Sequence, residues 1–168
     1  MTTATTRPMT ADEFFDWANR TENRGRHYEL IRGKVVEVPP PGECHGAVCL
    51  NVGWILSGYI RQRRQGYACS NDTGIIWERD PDTVRGPDVV FYDENRRFSE
   101  YDPKYSQRVP QLAVEVLSPG DRMSKVNRRI TQFLKWGVAL VWLVDPEERT
   151  LTVYRPDKAP EVLEVDQE

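Results

Sequence analysis

Two acidic residues lie inside apolar runs of this sequence, where acids are uncommon. Asp88 falls in the run 86–91, and Glu115 falls in the run 112–117. An ionised carboxylate in a buried strand costs several kcal/mol unless it is paired, hydrogen-bonded or bound to a cation. Two such acids on two predicted strands indicate a shared cation site, and carboxylate oxygens suit Mg²⁺ or Mn²⁺.

The local sequence constrains where these two acids point. Pro87 has no amide hydrogen and a fixed φ, so it restricts the backbone directly before Asp88. Side chains alternate between the faces of a strand, so Glu115 shares a face with Ala113 and Leu117. If the two strands are neighbours, the acids converge, and without a cation one of them would take up a proton. The alternatives are that Asp88 merely caps a turn and that Glu115 faces water from an edge strand.

A basic helix is predicted to follow the Glu115 strand. It carries four cations, which can stabilise a developing anion or form a solvated basic face. On a helical wheel Arg122 and Arg129, one heptad apart, flank the predicted buried line of this helix. That line is Val126, Ile130, Phe133 and Gly137. The four cations are Arg122, Lys125, Arg128 and Arg129.

The elements that would position these residues follow from periodicity and turn signals. Thr10 and Glu13 form a capping box for a short helix, and a hairpin follows with its turn at Gly33. A long helix covers roughly 43–63, with Val48, Val52, Ile55 and Tyr59 as its apolar stripe and His45 at the edge of that stripe. The later predicted elements are strands at 67–69, 74–77, 89–92, 111–117, 138–144 and 151–154, a helix at 121–136 and a loop at 93–110 with at most one helical turn. This order predicts a mixed β-sheet flanked by helices, an α/β or α+β fold.

Bulk composition limits the class of protein. The 168 residues, with a net charge of −3, fit one domain after a loose tail at residues 1–9, so any basic surface for nucleic acid must be local. The sequence has no signal stretch and no run long enough to span a membrane, and its three cysteines include no CxxC pair. These features predict a reduced, cytoplasmic protein. Cys44, His45 and Cys49 lie close together, but four ligands at zinc spacing are lacking, so no structural zinc site is predicted.

The motifs together resemble a known family. The segments 28–33, His45, 85–90, 115–119 and 137–146, in that order, resemble the Uma family of bacterial proteins. That family is described as restriction endonucleases with the PD-(D/E)XK nuclease fold. The resemblance covers about residues 10–156 and implies a single restriction-endonuclease-like domain over 10–168.

The resemblance also implies roles for individual residues. Asp88 and Glu115 would be the metal-binding acids, Glu29 would join them, and His45 would lie near the cleft. The lysine that is usual in the PD-(D/E)XK superfamily would stand two residues after Glu115, at position 117, which is leucine here. In this family it falls on the following helix, at the position of Arg129, and Lys125 lies one turn earlier. Arginine keeps the charge of lysine but cannot deprotonate to activate water.

These implications give one main functional hypothesis and one alternative. The main hypothesis is a Mg²⁺- or Mn²⁺-dependent endonuclease that hydrolyses DNA phosphodiester bonds, acts as a homodimer and has no membrane partner. In the predicted loop, Arg96, Arg97, Lys104 and Arg108 would contact DNA phosphates unless the loop is simply solvated. The alternative is a catalytically weak or inactive nuclease-fold protein that acts as a binding or assembly module.

Overall fold

The computed structural model describes residues 7–164. Most of the predicted N-terminal tail, residues 1–6, lies outside this part of the chain. At the end of the tail, the Met9 amide donates a hydrogen bond to the Gly33 carbonyl oxygen at 3.0 Å. The chain divides into two compact units, each assembled from separated segments. The first unit contains the described residues 7–40, 74–86 and 102–108, and the second contains 41–73, 87–101 and 109–164.

The first unit is a four-stranded antiparallel sheet with one helix. Its strand order is β2-β1-β5-β4. Phe14 and Leu30 are fully buried at its centre, because the helix lays its apolar face on the first strand. The predicted capping box at Thr10 and Glu13 is present. The elements are α1 (Ala11–Ala18), β1 (His27–Ile31), β2 (Lys34–Val38), β4 (Ile75–Glu78) and β5 (Thr83–Arg85).

The second unit is a six-stranded mixed sheet with two long helices. Its strand order is β10-β9-β8-β7-β6-β3, with β7 and β8 parallel and the other pairs antiparallel. Its elements are α2 (Glu43–Arg63), β3 (Tyr67–Ser70), β6 (Val89–Tyr92), a 3₁₀ turn (Phe98–Glu100), β7 (Leu112–Val116), α3 (Met123–Lys135), β8 (Leu140–Asp145), β9 (Thr150–Tyr154) and β10 (Glu161–Glu164).

The fold class predicted from the sequence is confirmed as mixed α and β, with helices beside the strands. The expected single sheet is two sheets, because the hairpin β1–β2 pairs with β5, a three-residue strand that the sequence patterns missed. The single helical turn expected in the loop 93–110 is the 3₁₀ turn.

The predicted buried stripe of α2 was partly wrong. Val52 and Leu56 are its buried residues and pack against the second sheet, whereas Ile55 and Tyr59 are exposed. The cause is that α2 carries apolar residues on several sides, so periodicity alone selects the wrong one of two overlapping stripes. The predicted buried line of α3 was correct for Val126, Ile130 and Phe133, which are buried, and wrong for Gly137, which is exposed after the end of the helix.

Candidate active site

Asp88 lies in the second unit, directly before β6. Its carboxylate Oδ2 accepts a hydrogen bond of 2.6 Å from the backbone amide of Val116, the residue after Glu115. In the antiparallel pairing of β6 and β7, Val89 lies opposite Val114. One further step in this register places Asp88 opposite Glu115, where side chains of paired strands are nearest neighbours. The two predicted acids therefore occupy opposite backbone positions on neighbouring strands.

Glu115 is an interior residue of β7 and is only 6% exposed. Its neighbours Val114 and Val116 pack with α2, so alternation directs Glu115 to the opposite face of the sheet. There its Oε2 atom lies 2.7 Å from Nη1 of Arg129 on α3. A guanidinium at this distance supplies the charge partner that a buried carboxylate requires.

Of the four predicted cations, Arg129 is the one that contacts Glu115. Arg129 directly precedes Ile130, which is buried. The packing of Ile130 therefore holds Arg129 at the edge of the contact between α3 and the sheet. The other three predicted cations, Arg122, Lys125 and Arg128, are exposed. Of the residues considered for the missing lysine, Arg129 therefore contacts Glu115, and Lys125 lies on the solvent side of the helix.

His45 connects Asp88 to the start of α2. Its Nε2 atom is 3.3 Å from Asp88 Oδ2, and both side chains are mostly buried. The hydrogen bond to Asp88 raises the pKa of His45 above its ordinary value against the lowering effect of burial, and the charges of Asp88, Asp72 and Asp121 add to this rise. The structure thus places His45 beside Asp88, and its role in a nuclease cleft stays a prediction.

Cys49 is a neighbour of His45 that sequence analysis did not assign to the site. Its Sγ atom is 3.5 Å from His45 Nδ1. Burial, followed by the negative charges of Asp88, Asp72 and Glu115, raises the pKa of the Cys49 thiol to about 12. The thiol is therefore protonated at neutral pH without a bound cation and is no nucleophile. The four-residue spacing from His45 on one helix was the signal that could have identified it.

Glu29 lies in the first unit, on β1. Its Oε2 atom is 3.2 Å from Nε of Arg85 on β5, and both side chains are largely buried. The carboxylate therefore has a charge partner within its own unit. Its participation in a metal site stays a prediction.

The basic residues of the predicted DNA-contacting loop fall in different surroundings. Arg96 forms a hydrogen bond with Tyr67 in the second unit. Lys104 lies in the first unit, 3.7 Å from Asp12 and 3.8 Å from Asp16, so its charge is shared with two acids of α1. Arg97 and Arg108 are exposed.

The chain has a nuclease-like fold, as comparisons with known proteins show. The profile of the Uma2 family, described as "Putative restriction endonuclease", matches residues 11–168. A solved structure of "a putative nuclease belonging to DUF820" from Anabaena variabilis ATCC 29413 is similar, with 28% sequence identity and a TM-score of 0.75. That match covers 94% of this chain and 85% of the other. The search of curated proteins found no match.

The chain belongs to the Uma2 family, as its motifs predicted. Both the family and the structural neighbour support a nuclease. Within residues 7–164, no helix combines the length and apolar character needed to cross a bilayer.

Proposed function

We propose that this protein is a divalent-cation-dependent endonuclease that hydrolyses DNA phosphodiester bonds. The observation that carries the proposal is the hydrogen bond from the Val116 amide to the Asp88 carboxylate, which ties this acid to the strand that carries Glu115. Two acids on neighbouring strands, one of them 6% exposed, each require a dedicated partner here, His45 for Asp88 and Arg129 for Glu115.

The donor set fits a hard cation. Asp88 and Glu115 would hold Mg²⁺ or Mn²⁺ through carboxylate oxygens, the ligands that these ions prefer. When bound, such a cation lowers the pKa of a water ligand and stabilises negative charge on a phosphate. The chain itself orients the acids, since His45 and the Val116 amide both contact Oδ2 of Asp88.

Arg129 would bind the phosphate in this proposal. Its guanidinium carries a permanent positive charge beside Glu115 and presents several donors to phosphate oxygens. It cannot act as a general base, because it does not deprotonate in proteins. Proton removal from the attacking water would therefore depend on the cation site and bulk solvent, which predicts slower turnover than with a lysine.

A second candidate function is favoured by the same ion pair. Arg129 lies 2.7 Å from Glu115, so its charge already offsets one of the two acids. A site neutralised in this way binds a cation more weakly, as expected for a nuclease-fold protein that acts as a binding or assembly module. Metal binding and DNA cleavage, measured separately, distinguish the two functions.

We also propose that the protein acts on DNA as a homodimer in the cytoplasm. A two-fold dimer presents one site to each strand of a duplex. The interface would be the outer face of α2, where Leu50, Trp54 and Ile55 are 73%, 71% and 58% exposed. Adjacent exposed apolar side chains on one helix are typical of an interaction surface.

Charge complementarity supports a second copy as the partner of this α2 face. Glu43, Leu50, Trp54 and Arg61 lie along one side of the helix, at helical spacing. In an antiparallel pair of α2 helices that cross at the level of Val52, Leu50 meets Trp54 of the second copy. The same pairing places Glu43 against Arg61 at both ends. The face is therefore self-complementary, as a two-fold interface requires.

The decisive experiment measures cleavage of supercoiled plasmid with Mg²⁺ or Mn²⁺. Wild type is expected to cleave, and Asp88→Asn and Glu115→Gln are expected to abolish cleavage while folding normally. Glu148→Gln, at an exposed turn, is the matched acid control. Calorimetry with Mn²⁺ runs in parallel. Binding that Asp88→Asn removes, without cleavage by wild type, supports the binding module, and the absence of both signals overturns the metal-dependent proposal.

A further inference from the structure

We propose that His45, Cys49 and Asp88 form a second cation site, selective for a thiophilic divalent ion such as Zn²⁺. One ligand atom from each of the three residues lies within 4.8 Å of the others. His45 and Cys49 are one turn apart on α2, and Asp88 lies on the strand end beside them. All three side chains are partly buried, so they are held in place and still accessible to an ion.

The spacing of the two α2 residues fits a tetrahedral ion. Zn–S and Zn–N bonds of about 2.3 and 2.0–2.1 Å at a tetrahedral angle place the two ligand atoms about 3.6 Å apart. Cys49 Sγ and His45 Nδ1 lie 3.5 Å apart. The pair therefore has chelate spacing before any ion binds. Asp88 now lies beside the other ring nitrogen, Nε2, at 3.3 Å, and would turn toward the ion to supply an oxygen ligand.

The ligand types select the class of metal. A thiolate and an imidazole favour zinc and similar ions, whereas Mg²⁺ prefers oxygen ligands alone. Three protein ligands with a fourth position open to water fit a mononuclear zinc site. The acids Asp72 and Asp121 add negative charge near His45, which attracts a cation further.

This site shares Asp88 with the proposed nuclease site, so the two cations compete. When Zn²⁺ takes Asp88, the Mg²⁺ site loses one of its two acids. We therefore expect Zn²⁺ to inhibit DNA cleavage. The inhibition depends on Cys49, which is not one of the two nuclease acids. This regulatory consequence rests on the proposed function, whereas zinc binding itself does not.

The test uses the full chain and Co²⁺, a spectroscopic substitute for zinc. Wild type is expected to bind one Co²⁺ with the absorption of a thiolate ligand and to release it to Zn²⁺. Cys49→Ser is expected to lose the thiolate absorption and to bind Zn²⁺ at least about tenfold more weakly, a loss typical of damage to a metal site. Cys69→Ser, which removes another half-buried thiol, is the matched control and should match wild type.

The proposal is overturned if Co²⁺ binds without thiolate absorption, or if Cys49→Ser retains that absorption. If circular dichroism shows that Cys49→Ser is unfolded, His45→Gln gives the same test by removing the imidazole. Glu115→Gln should keep zinc binding and lose only cleavage. The two tests are therefore independent. Zinc binding can be measured in a protein that does not cleave DNA, and cleavage can be measured in a protein that does not bind zinc.

Discussion

The guanidinium of Arg129 lies 2.7 Å from the carboxylate of Glu115, fourteen positions earlier in the chain. β7 carries the acid, α3 carries the base, and the buried line of α3 holds the two together. The ion pair satisfies an acid that the sheet would otherwise bury at high cost. It also determines how much negative charge the site retains for a cation.

Replacement of Arg129 separates the structural effect of this residue from its chemical effect. Arg129→Met should lower the free energy of unfolding by about 3 kcal/mol, because it leaves a buried carboxylate without its charge partner. Arg129→Lys should retain much of that stability, and it should increase cleavage if the position can then release a proton. Urea unfolding and plasmid cleavage measure the two effects. Equal stability of Arg129→Met and wild type would show that the pair contributes nothing to the fold.

Asp88 has a structural role that its amide substitution should preserve. Asp88→Asn keeps a side-chain oxygen that can accept from the Val116 amide, so we expect a small change in stability. Asp88→Ala removes the acceptor and should cost about 1–3 kcal/mol, because a partly buried amide is left unsatisfied. Chemical denaturation of both variants tests this order. A less stable Asp88→Asn than Asp88→Ala would contradict it.

Asp82 should make the stability of the protein depend on acid pH. Burial acts to raise the pKa of Asp82, but hydrogen bonds from the Ala11 amide, Arg79 and the Asp80 amide outweigh it and lower this pKa below the ordinary value of 3.8. A lowered folded-state pKa contributes stability above the unfolded pKa, and that contribution is lost as the pH falls through the folded pKa.

The difference in unfolding free energy between wild type and Asp82→Asn should therefore be greatest near neutral pH. We expect about 1–3 kcal/mol there, as for a hydrogen bond to a charged group, and a steady decrease below about pH 4. Urea unfolding at pH 7, 5 and 3 provides the measurement. A difference that grows with acidity would have the wrong sign for this mechanism.

The proposed α2 interface makes a charge-reversal prediction. Glu43→Arg and Arg61→Glu should each weaken the dimer by placing like charges opposite one another, and the double variant should restore it. Trp54→Asp should yield a monomer in any background. Light scattering after size exclusion gives the mass, with Lys158→Glu, an exposed charge reversal outside α2, as the control. A dimer unaffected by Trp54→Asp would locate the interface elsewhere.

The sequence predicted most elements where local signals agree with tertiary packing. The capping box at Thr10 and the turn at Gly33 are each determined by a few adjacent residues, and both were correct. The buried line of α3 was correct within the helix and failed only at Gly137, beyond its end. The α2 stripe failed because Leu50, Trp54 and Ile55 make the helix apolar on its outer side as well. β5 failed because three residues are too few to show a period.

Sequence reasoning selected the two acids of the candidate site but not all of the side chains that contact them. Asp88 and Glu115 stood out because an acid in an apolar run contradicts its surroundings. The four-residue spacing on α2 indicates that Cys49 lies beside His45. Its position near Asp88 depends on how α2 packs against the sheet, which no local pattern contains. The ion pair of Glu29 with Arg85 likewise depends on strand pairing across more than fifty residues.

The discontinuous make-up of each unit has a consequence for biosynthesis. The first unit needs residues 102–108, where Ile76 and Ser106 form a backbone hydrogen bond. A ribosome therefore has to extend the chain past this segment before β1, β2, β4 and β5 have all their partners. During that interval the early strands have unpaired edges, so we expect the nascent protein to depend on chaperones more than a unit made from one continuous stretch would.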